Sequence, residues 1–373
     1  MNTQIPEWVL QLKTNVIEYV NGLMVPGAPF GRFRFAKDGC VYLPYDIISV
    51  HTVADIYQKL RMTESLTPQQ KQEWIDLSLS WRDPETGEVR DPEGIEKGVP
   101  DNDDLACSVT ALKRNMNRCC AGVFGSRDNQ PTLQQEVKAF LDIDKMHQAF
   151  DAEPWETYSW GAGAHCAHYL LAMLNWRDAG YEEFDRPIKA AVEYLYAKQN
   201  PETGAFGGKK QDAVNIIGGI LKIYARLFAT MDLEIRYPER VIDTAIDLLR
   251  SGQLQGNCPA HNALIVLLMC KSSTNYREDD VRNEAYISLE RDIRPRLKKN
   301  SSFCSIPDTS SEYYYWGVKM VEHGYDQGEI HSTQLALQAI RVVFELLDME
   351  EELGYEPSGW YKKRTCRPFE KIV

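Results

Sequence analysis

The chain has 373 residues, of which 43% are hydrophobic and 26% are charged, a balance typical of a globular protein that can bury a large core. Its 42 Lys and Arg residues stand against 54 Asp and Glu, and the resulting net charge of −12 argues against nucleic acid or an anionic membrane as the main partner. No apolar run approaches the ~18 residues that a membrane span requires. Nine cysteines, mostly single and without regular spacing, indicate free thiols in a reducing compartment. We therefore expect a cytoplasmic protein without a transmembrane segment.

Helical periodicity recurs along the chain, whereas strand patterns are nearly absent. A Pro-Glu-Thr-Gly turn follows an amphipathic run at 81–91 and again at 199–209, which indicates a repeat of paired helices. Helices with one charged face are predicted at 16–24, 72–80, 136–150, 188–198, 241–250 and 286–297. Each precedes a helix with small and apolar residues on several faces, at 45–60, 103–117, 160–176, 212–229, 261–270 and 329–347.

Six amphipathic outer helices and six buried inner helices predict an all-α (α/α)6 barrel, a closed toroid of six helix pairs formed by residues 1–373 as a single domain. All inner helices would run in the same direction, so that their N-terminal ends meet at one mouth. Five of the seven histidines fall in or near these first turns. A concave mouth with convergent polar and aromatic groups is where we expect the functional site.

Three carboxylates, Asp101, Asp103 and Asp104, stand at the start of the second predicted inner helix, just after Pro100. One interpretation is capping, in which Asp101 and Asp104 accept hydrogen bonds from backbone N–H groups of the first turn. The other is acid chemistry, if this helix end opens into a cavity. The residues themselves leave both interpretations open.

A ring of helix pairs with glycine-containing turns such as QNPETGAFGG resembles the terpenoid cyclase and protein prenyltransferase superfamily. The sequence DNDDLA at 101–106 is similar to the Asp-x-Asp-Asp motif of class II cyclases such as squalene–hopene cyclases, with Leu105 where Thr is usual. The resemblance implies that Asp103 protonates an alkene and that Asp101 and Asp104 tune its acidity. It also implies a small hydrophobic isoprenoid substrate, which would bring Mg²⁺ only if it were a diphosphate.

The zinc site of protein prenyltransferases offers a second comparison. The resemblance places three possible ligands at positions similar to those of that zinc site: Cys258, His261 and His331. They could supply one thiolate and two imidazoles. The alternative is a buried thiol with two helix-start histidines. Because Gly256 stands where that site has Asp, we expect a protein without zinc or any other metal.

His165 and His168 lie three residues apart, on one face of the third predicted inner helix. Trp155, Tyr158 and Trp160 precede them, so this stretch could bind substrate or hold a general base. Packing beside the small residues of the same helix explains the two histidines equally well.

Aromatic and basic residues give two further candidates for substrate binding. Tyr314 and Trp316 belong to an aromatic block that could stabilise a carbocation, stack on sugar rings or fill the core. Arg32 and Arg34 alternate with phenylalanines, which suits an anion clamp for a diphosphate or a uronate, or an exposed turn whose aromatic rings pack inward.

Three functions follow from these patterns. The leading one is a class II terpenoid cyclase-like enzyme that protonates and cyclises an isoprenoid. The second is a carbohydrate-active (α/α)6 enzyme, a glycoside hydrolase or polysaccharide lyase, since such enzymes use the same barrel. The third is a non-catalytic toroid that binds or scaffolds. Fold analogy does not separate them, but the side chains that line the cavity do: apolar and aromatic for an isoprenoid, polar for a sugar.

Overall fold

The computed structural model describes residues 4–40, 47–81, 123–124, 133–208, 211–254, 256–305, 307, 313–315, 318–322 and 324–361. These residues are mostly helical, which confirms the all-α character expected from the sequence. They fall into two compact units. The first unit contains the described residues of Met1–Gln130, Gly256–Cys258 and Leu289–Ser358, and the second contains those of Pro131–Gln255, Pro259–Ser288 and Gly359–Val373.

The described α-helices are α1 (Glu7–Asn21), α2 (Ile47–Lys59), α3 (Pro68–Ser80), α4 (Ile143–Asp151), α5 (Ser159–Asp178), α6 (Asp185–Ala197), α7 (Ala213–Tyr224), α8 (Pro238–Arg250), α9 (Asn257–Lys271), α10 (Glu278–Ser288), α11 (Ile330–Leu346) and α12 (Glu350–Leu353). Tighter or wider helical turns cover Thr63–Ser65, Gln135–Leu141, Glu182–Phe184, Ala225–Thr230, Leu289–Ile293 and Arg294–Arg296. One antiparallel hairpin is formed by β1 (Tyr313–Tyr315) and β2 (Val318–Val321).

Eleven of the twelve predicted helices coincide with helices of the structure, and the twelfth, at 103–117, lies outside the described residues. Three boundaries need correction. The helix predicted at 286–297 shares only residues 286–288 with α10 and continues through the wider turn Leu289–Ile293 and the tighter turn Arg294–Arg296. α1 begins at Glu7, because its buried face already includes Val9 and Leu12. The helix predicted at 136–150 is interrupted at Asp142, whose carboxylate accepts hydrogen bonds from the N–H groups that open α4. The hairpin of β1 and β2 is a strand pair that the periodicity did not predict.

Helices α5 and α7 pack closely in the second unit and run parallel. Ser159 Oγ donates to the carbonyl of Asn215 at 2.8 Å, and one turn later a Cβ on Gly163 would lie 3.3 Å from both the Gly219 carbonyl oxygen and the Ile223 side chain. Because contacts advance in the same direction along both helices, their N-terminal ends lie together. Two of the predicted inner helices are therefore parallel neighbours.

Helices α2 and α11, the first and last predicted inner helices, are also parallel neighbours within the first unit. The Asp55 carboxylate accepts a hydrogen bond from Gln334. One turn before this contact, the charge of His51 acts on His331, and one turn after it, the charge of Arg341 acts on Lys59. Partners on α11 therefore come later in the chain as partners on α2 do, so the two helices run in the same direction. Glu329 caps α11, its carboxylate accepting from the Ser332 N–H at 2.8 Å.

The turn QNPETGAFGG is held by the side chain of Gln199. Its Nε2 donates to the Gly204 carbonyl at 2.9 Å and to the Tyr224 hydroxyl at 2.7 Å. Gly204 adopts a φ of +69°, and an added Cβ would lie 2.3 Å from Val241, so this position requires glycine. The turn thereby joins the end of α6 to the end of α7.

One helical stretch, Ala213–Thr230, is long and apolar enough to cross a bilayer by length and composition. Its apolar window is 56% buried, and the core helix of a globular protein passes the same test. The described residues therefore contain no clear transmembrane segment.

Candidate functional site

The loop before α5 is fixed by the side-chain amide of Gln211. Its Nε2 donates to the carbonyl of Trp155 at 2.9 Å, while its Oε1 accepts from the N–H of Ser159 at 3.2 Å. The indole of Trp155 donates to the Phe150 carbonyl at 2.8 Å and is only 4% exposed. These bonds hold the segment that carries Glu153 against the first turns of α5.

Glu153 forms a pair with His165 on α5. The Nδ1 atom of His165 lies 2.9 Å from Oε2 and 3.1 Å from Oε1 of Glu153. This hydrogen bond, together with the carboxylate charge, raises the pKa of His165 against the opposing effect of burial. Because a carboxylate only accepts, Nδ1 carries the hydrogen and Nε2 of the neutral ring is left to take up a proton. The side chain of His165 is 37% exposed and therefore accessible from solvent, whereas that of Glu153 is 13% exposed.

His168 lies one turn further along α5 in a different environment. Its Nδ1 is buried and has no hydrogen-bond partner. Burial, followed by the charges of Arg226, Lys222 and His165, lowers its pKa to about 3. The two histidines thus differ at neutral pH: His168 is held neutral, while His165 is drawn toward the protonated form.

Lys222 and Arg226 belong to the stretch that faces His168. Arg226 lies in the π-helical turn Ala225–Thr230, a wide turn of a kind frequent at functional sites. Its Nη1 donates to Thr230 Oγ1 at 3.2 Å, and its Nε is buried without a partner. Burial lowers the pKa of Arg226 to about 10, so the side chain remains cationic at neutral pH. We refer to His168, Lys222 and Arg226 as the His168 cluster.

The aromatic residues predicted to bind substrate have different surroundings. Trp155 packs in the core beneath the loop, whereas Tyr158 is 51% exposed at the start of α5. The indole of Trp160 stands directly over Gly218, where an added Cβ would lie 2.5 Å from the ring. Tyr158, whose ring packs on Gly161, is therefore the most exposed aromatic side chain of this group.

Other predicted site residues fall outside this arrangement. Asp101, Asp103, Asp104 and Trp316 lie outside the described residues, and for Tyr314 the structure describes the backbone in β1. The roles predicted for these five residues stay predictions.

Arg32 and Arg34 lie in a short turn of the first unit. Backbone bonds join Val25 N–H to the Arg32 carbonyl and Arg34 N–H to the Leu23 carbonyl, both at 2.9 Å. Phe33 and Phe35 are buried, and Arg34 is exposed. This is the geometry of a turn whose aromatic rings pack inward; binding of an anion by the two arginines stays a prediction.

The predicted zinc ligands are divided between the units. Cys258 and His331 belong to the first and His261 to the second. Burial and the nearby charges of Lys59 and His51 lower the pKa of His331 to about 3. Among the residues that the structure describes, no group of three or more His, Cys, Asp or Glu side chains is arranged to hold a metal ion.

The first unit contains a second polar cluster, between α2 and α11. Lys59, 3% exposed, forms an ion pair with Asp55, and burial lowers its pKa. Arg341 donates to the Glu356 carbonyl at 2.9 Å, and Glu345 accepts from the Ser358 hydroxyl at 2.6 Å. The two cations are balanced by the carboxylates of Asp55 and Glu345, which marks this cluster as part of the packing.

The sequence did not single out Glu153, Lys222 or Arg226. A signal for the last two was present, because they are the only charged residues in the apolar stretch 213–230. Charged side chains in a buried apolar helix are costly and commonly serve a function. Glu153 gave no such signal, since an acidic residue before a proline is common in surface loops.

Comparison with known proteins identifies no relative of this chain. No model of a protein family, no curated protein and no solved structure matches the chain. The function therefore has to be inferred from the side chains themselves.

Proposed function

We propose that this protein is an enzyme that transfers a proton at a carbohydrate substrate, as glycoside hydrolases and polysaccharide lyases do. The observation that carries the proposal is the pair of Glu153 and His165, with Nδ1 and Oε2 2.9 Å apart. The carboxylate fixes the ring and stabilises the imidazolium that forms when Nε2 accepts a proton. General acid–base catalysis by such a group contributes roughly 10²- to 10⁴-fold to a rate.

The charges around the pair favour a polar substrate over an isoprenoid. A carbocation intermediate is stabilised by aromatic faces and destabilised by nearby positive charges. Here Lys222 and Arg226 would repel a developing carbocation, and the neutral imidazole of His168 could deprotonate it early. Hydroxyl-rich substrates find donors and acceptors in the same side chains, and the exposed ring of Tyr158 suits stacking on a sugar ring.

The proposal includes the (α/α)6 toroid. Its support is the parallel packing of α5 with α7 and of α2 with α11, because neighbouring inner helices of such a ring run in one direction. Contact between the first and last inner helices is also what closure of a ring requires. Enzymes that act on carbohydrates are common on this fold, an argument by analogy.

The test is turnover of a panel of neutral and acidic oligosaccharides, followed by the release of reducing ends and the ultraviolet absorbance of unsaturated products. On a substrate that is cleaved, His165→Gln should lower kcat by roughly 10²-fold or more. His147→Gln, which removes another histidine of the second unit, is the matched control and should leave kcat unchanged. Equal activity of wild type and His165→Gln would contradict the proposal.

A class II terpenoid cyclase is the second candidate, and the Gln199 turn favours it. The amide of Gln199 joins two helices through Gly204 and Tyr224, in keeping with the glutamine, glycine and aromatic repeats of the superfamily that the sequence resembles. If an isoprenoid is cyclised and Asp103→Asn abolishes turnover while His165→Gln does not, this second function replaces the first. Binding without turnover of either substrate class would leave the non-catalytic toroid.

A further inference from the structure

We propose that Tyr194 on α6 is a positioning residue for the pair of Glu153 and His165. It acts through Asp151, the last residue of α4, which precedes Glu153 by two positions. That His165 transfers a proton rests on the proposed function. The positioning itself rests on contacts among α4, α5 and α6 in the second unit.

The first observation is that the end of α4 is fastened to the end of α6 by two hydrogen bonds. The Tyr194 hydroxyl donates to Oδ1 of Asp151 at 2.5 Å, and the ammonium of Lys198 donates to the same oxygen at 3.1 Å. Both bonds, that of Tyr194 first, lower the pKa of Asp151, so its carboxylate is ionised at neutral pH. We refer to Asp151, Tyr194 and Lys198 as the Asp151 clamp.

Of the two donors, Tyr194 is the one that fixes a position. An ion pair between a flexible lysine and a carboxylate that is 60% exposed contributes little order. The ring of Tyr194, in contrast, is held by packing, since it meets Phe150 edge to face with 5.3 Å between centroids. A hydroxyl on a fixed ring that donates to an ionised carboxylate forms a short, strong and directional hydrogen bond.

The second observation is that little slack separates the clamp from Glu153. The N–H of Ala152 donates to the Gln148 carbonyl at 3.0 Å, and the N–H of Glu153 donates to the Phe150 carbonyl at 3.4 Å. Both bonds tie the backbone after Asp151 to the last turn of α4. A movement of that turn therefore moves the backbone of Glu153 with it.

The third observation is that the clamp and the pair lie close to the same point of α5. Cys166 follows His165 directly and is buried. Burial raises the pKa of its thiol, and the charges of Glu153, Lys198 and Asp151 all act on that pKa. The Asp151 clamp is thus near enough to α5 to determine how Glu153 approaches it.

These contacts hold Glu153 from both sides along the chain. On the far side, Gln211 binds the Trp155 carbonyl at 2.9 Å. On the near side, the Asp151 clamp holds the end of α4. A segment held on one side only can pivot, and a hydrogen bond weakens steeply when its distance and angle change. Loss of the Tyr194 hydroxyl should therefore weaken the bond between Glu153 and His165.

NMR titration of the His165 ring in Tyr194→Phe tests the proposal. The variant keeps the aromatic ring and removes the hydroxyl, so the pKa of His165 should fall toward its ordinary value of about 6.5. On a carbohydrate that is cleaved, kcat should fall roughly tenfold while KM changes by less than about twofold, because the group that transfers the proton is displaced. Tyr196→Phe is the matched control: its hydroxyl, also on α6, donates to the Glu234 carbonyl, and both quantities should stay unchanged.

Two substitutions of Asp151 separate position from charge. Asp151→Asn removes the charge but keeps an oxygen that can accept from Tyr194, so the pKa of His165 should stay close to the wild-type value. Asp151→Ala removes the acceptor and should reproduce the effect of Tyr194→Phe. It also replaces that variant if Tyr194→Phe does not fold. An equal fall of the His165 pKa in both substitutions would show that the charge of Asp151 acts directly on the ring, which would overturn the positioning role.

The titration and the activity distinguish this proposal from the proposed function. An unchanged pKa of His165 in Tyr194→Phe and Asp151→Ala would overturn the positioning role, and carbohydrate turnover that depends on His165 would still support the proposed function. A fall of that pKa in both variants, without turnover of any carbohydrate by the wild type, would support the positioning role and overturn the proposed function.

Discussion

The Nδ1 atom of His165 lies 2.9 Å from Oε2 of Glu153, and this contact joins a loop residue to the second turn of α5. The loop is itself tied to the start of α7 by Gln211. The geometry of the Glu153–His165 pair therefore depends on the positions of both α5 and α7. Substitution of Glu153 or of His165 should have measurable effects on the pKa of the ring, on catalysis and on stability.

Glu153→Gln should lower the pKa of His165, because it removes the charged hydrogen-bond acceptor that raises that pKa. NMR titration of the ring measures the change directly. If Nε2 accepts a proton in catalysis, the acidic limb of the pH–rate profile should move to lower pH and kcat should fall. A titration identical to that of the wild type would show that the pair does not form in solution.

The same variant should change stability in a pH-dependent way. A histidine whose pKa is raised by folding stabilises the native state below its unfolded value of about 6.5, and this contribution disappears as the pH rises through the folded value. The free energy of unfolding of Glu153→Gln should thus fall further below that of the wild type at about pH 5 than at about pH 8. Urea unfolding at the two pH values measures the difference, and an equal difference at both would contradict the assignment.

His168→Gln should reduce the sensitivity of the protein to acid. The folded pKa of His168 is about 3, so its contribution to stability is present above about pH 6.5 and is lost as the pH falls toward 3. Over that range the wild type should lose up to a few kcal/mol that the variant does not lose. Denaturant unfolding from neutral to acid pH provides the comparison, and parallel curves would show that His168 is not held neutral.

Gly218→Ala should destabilise the second unit by roughly 1–3 kcal/mol, the usual cost of overpacking. The added Cβ would lie 2.5 Å from the indole of Trp160, so either the ring or α7 must move. The substitution Trp160→Leu makes room at the same place. In the Trp160→Leu variant, Gly218→Ala should therefore lower the free energy of unfolding by less than it does in the wild type. Equal costs in both backgrounds, measured by thermal unfolding, would show that the indole is not the obstacle.

Asp55→Asn should destabilise the first unit by about 3 kcal/mol, because it leaves the buried ammonium of Lys59 without its counter-charge. Asp76→Asn, at an exposed position on α3, is the matched control and should change stability by less than about 0.5 kcal/mol. Chemical unfolding of both variants tests the contrast. Similar small effects would mean that Lys59 loses its proton or reaches solvent when the partner is removed.

Much of the helical framework could be read from the sequence, because the periodicity of apolar residues is a local property. It placed the buried helices that became α2, α5, α7, α9 and α11. The spacing of His165 and His168 likewise determined that they share a face of α5. The sequence QNPETGAFGG also predicted a turn correctly, because closing this turn requires a glycine with positive φ and a buried glutamine amide.

Only the tertiary structure decided which side chains meet. Glu153 reaches His165 because Gln211 anchors the intervening loop, and Arg226 comes close to His168 because glycines let α5 and α7 approach. Local patterns carry no information about such pairs, since their energies depend on burial and on partners remote in sequence. The same holds for Lys59. In the sequence it is an ordinary charged residue near the end of a predicted helix, and only packing against α11 buries it.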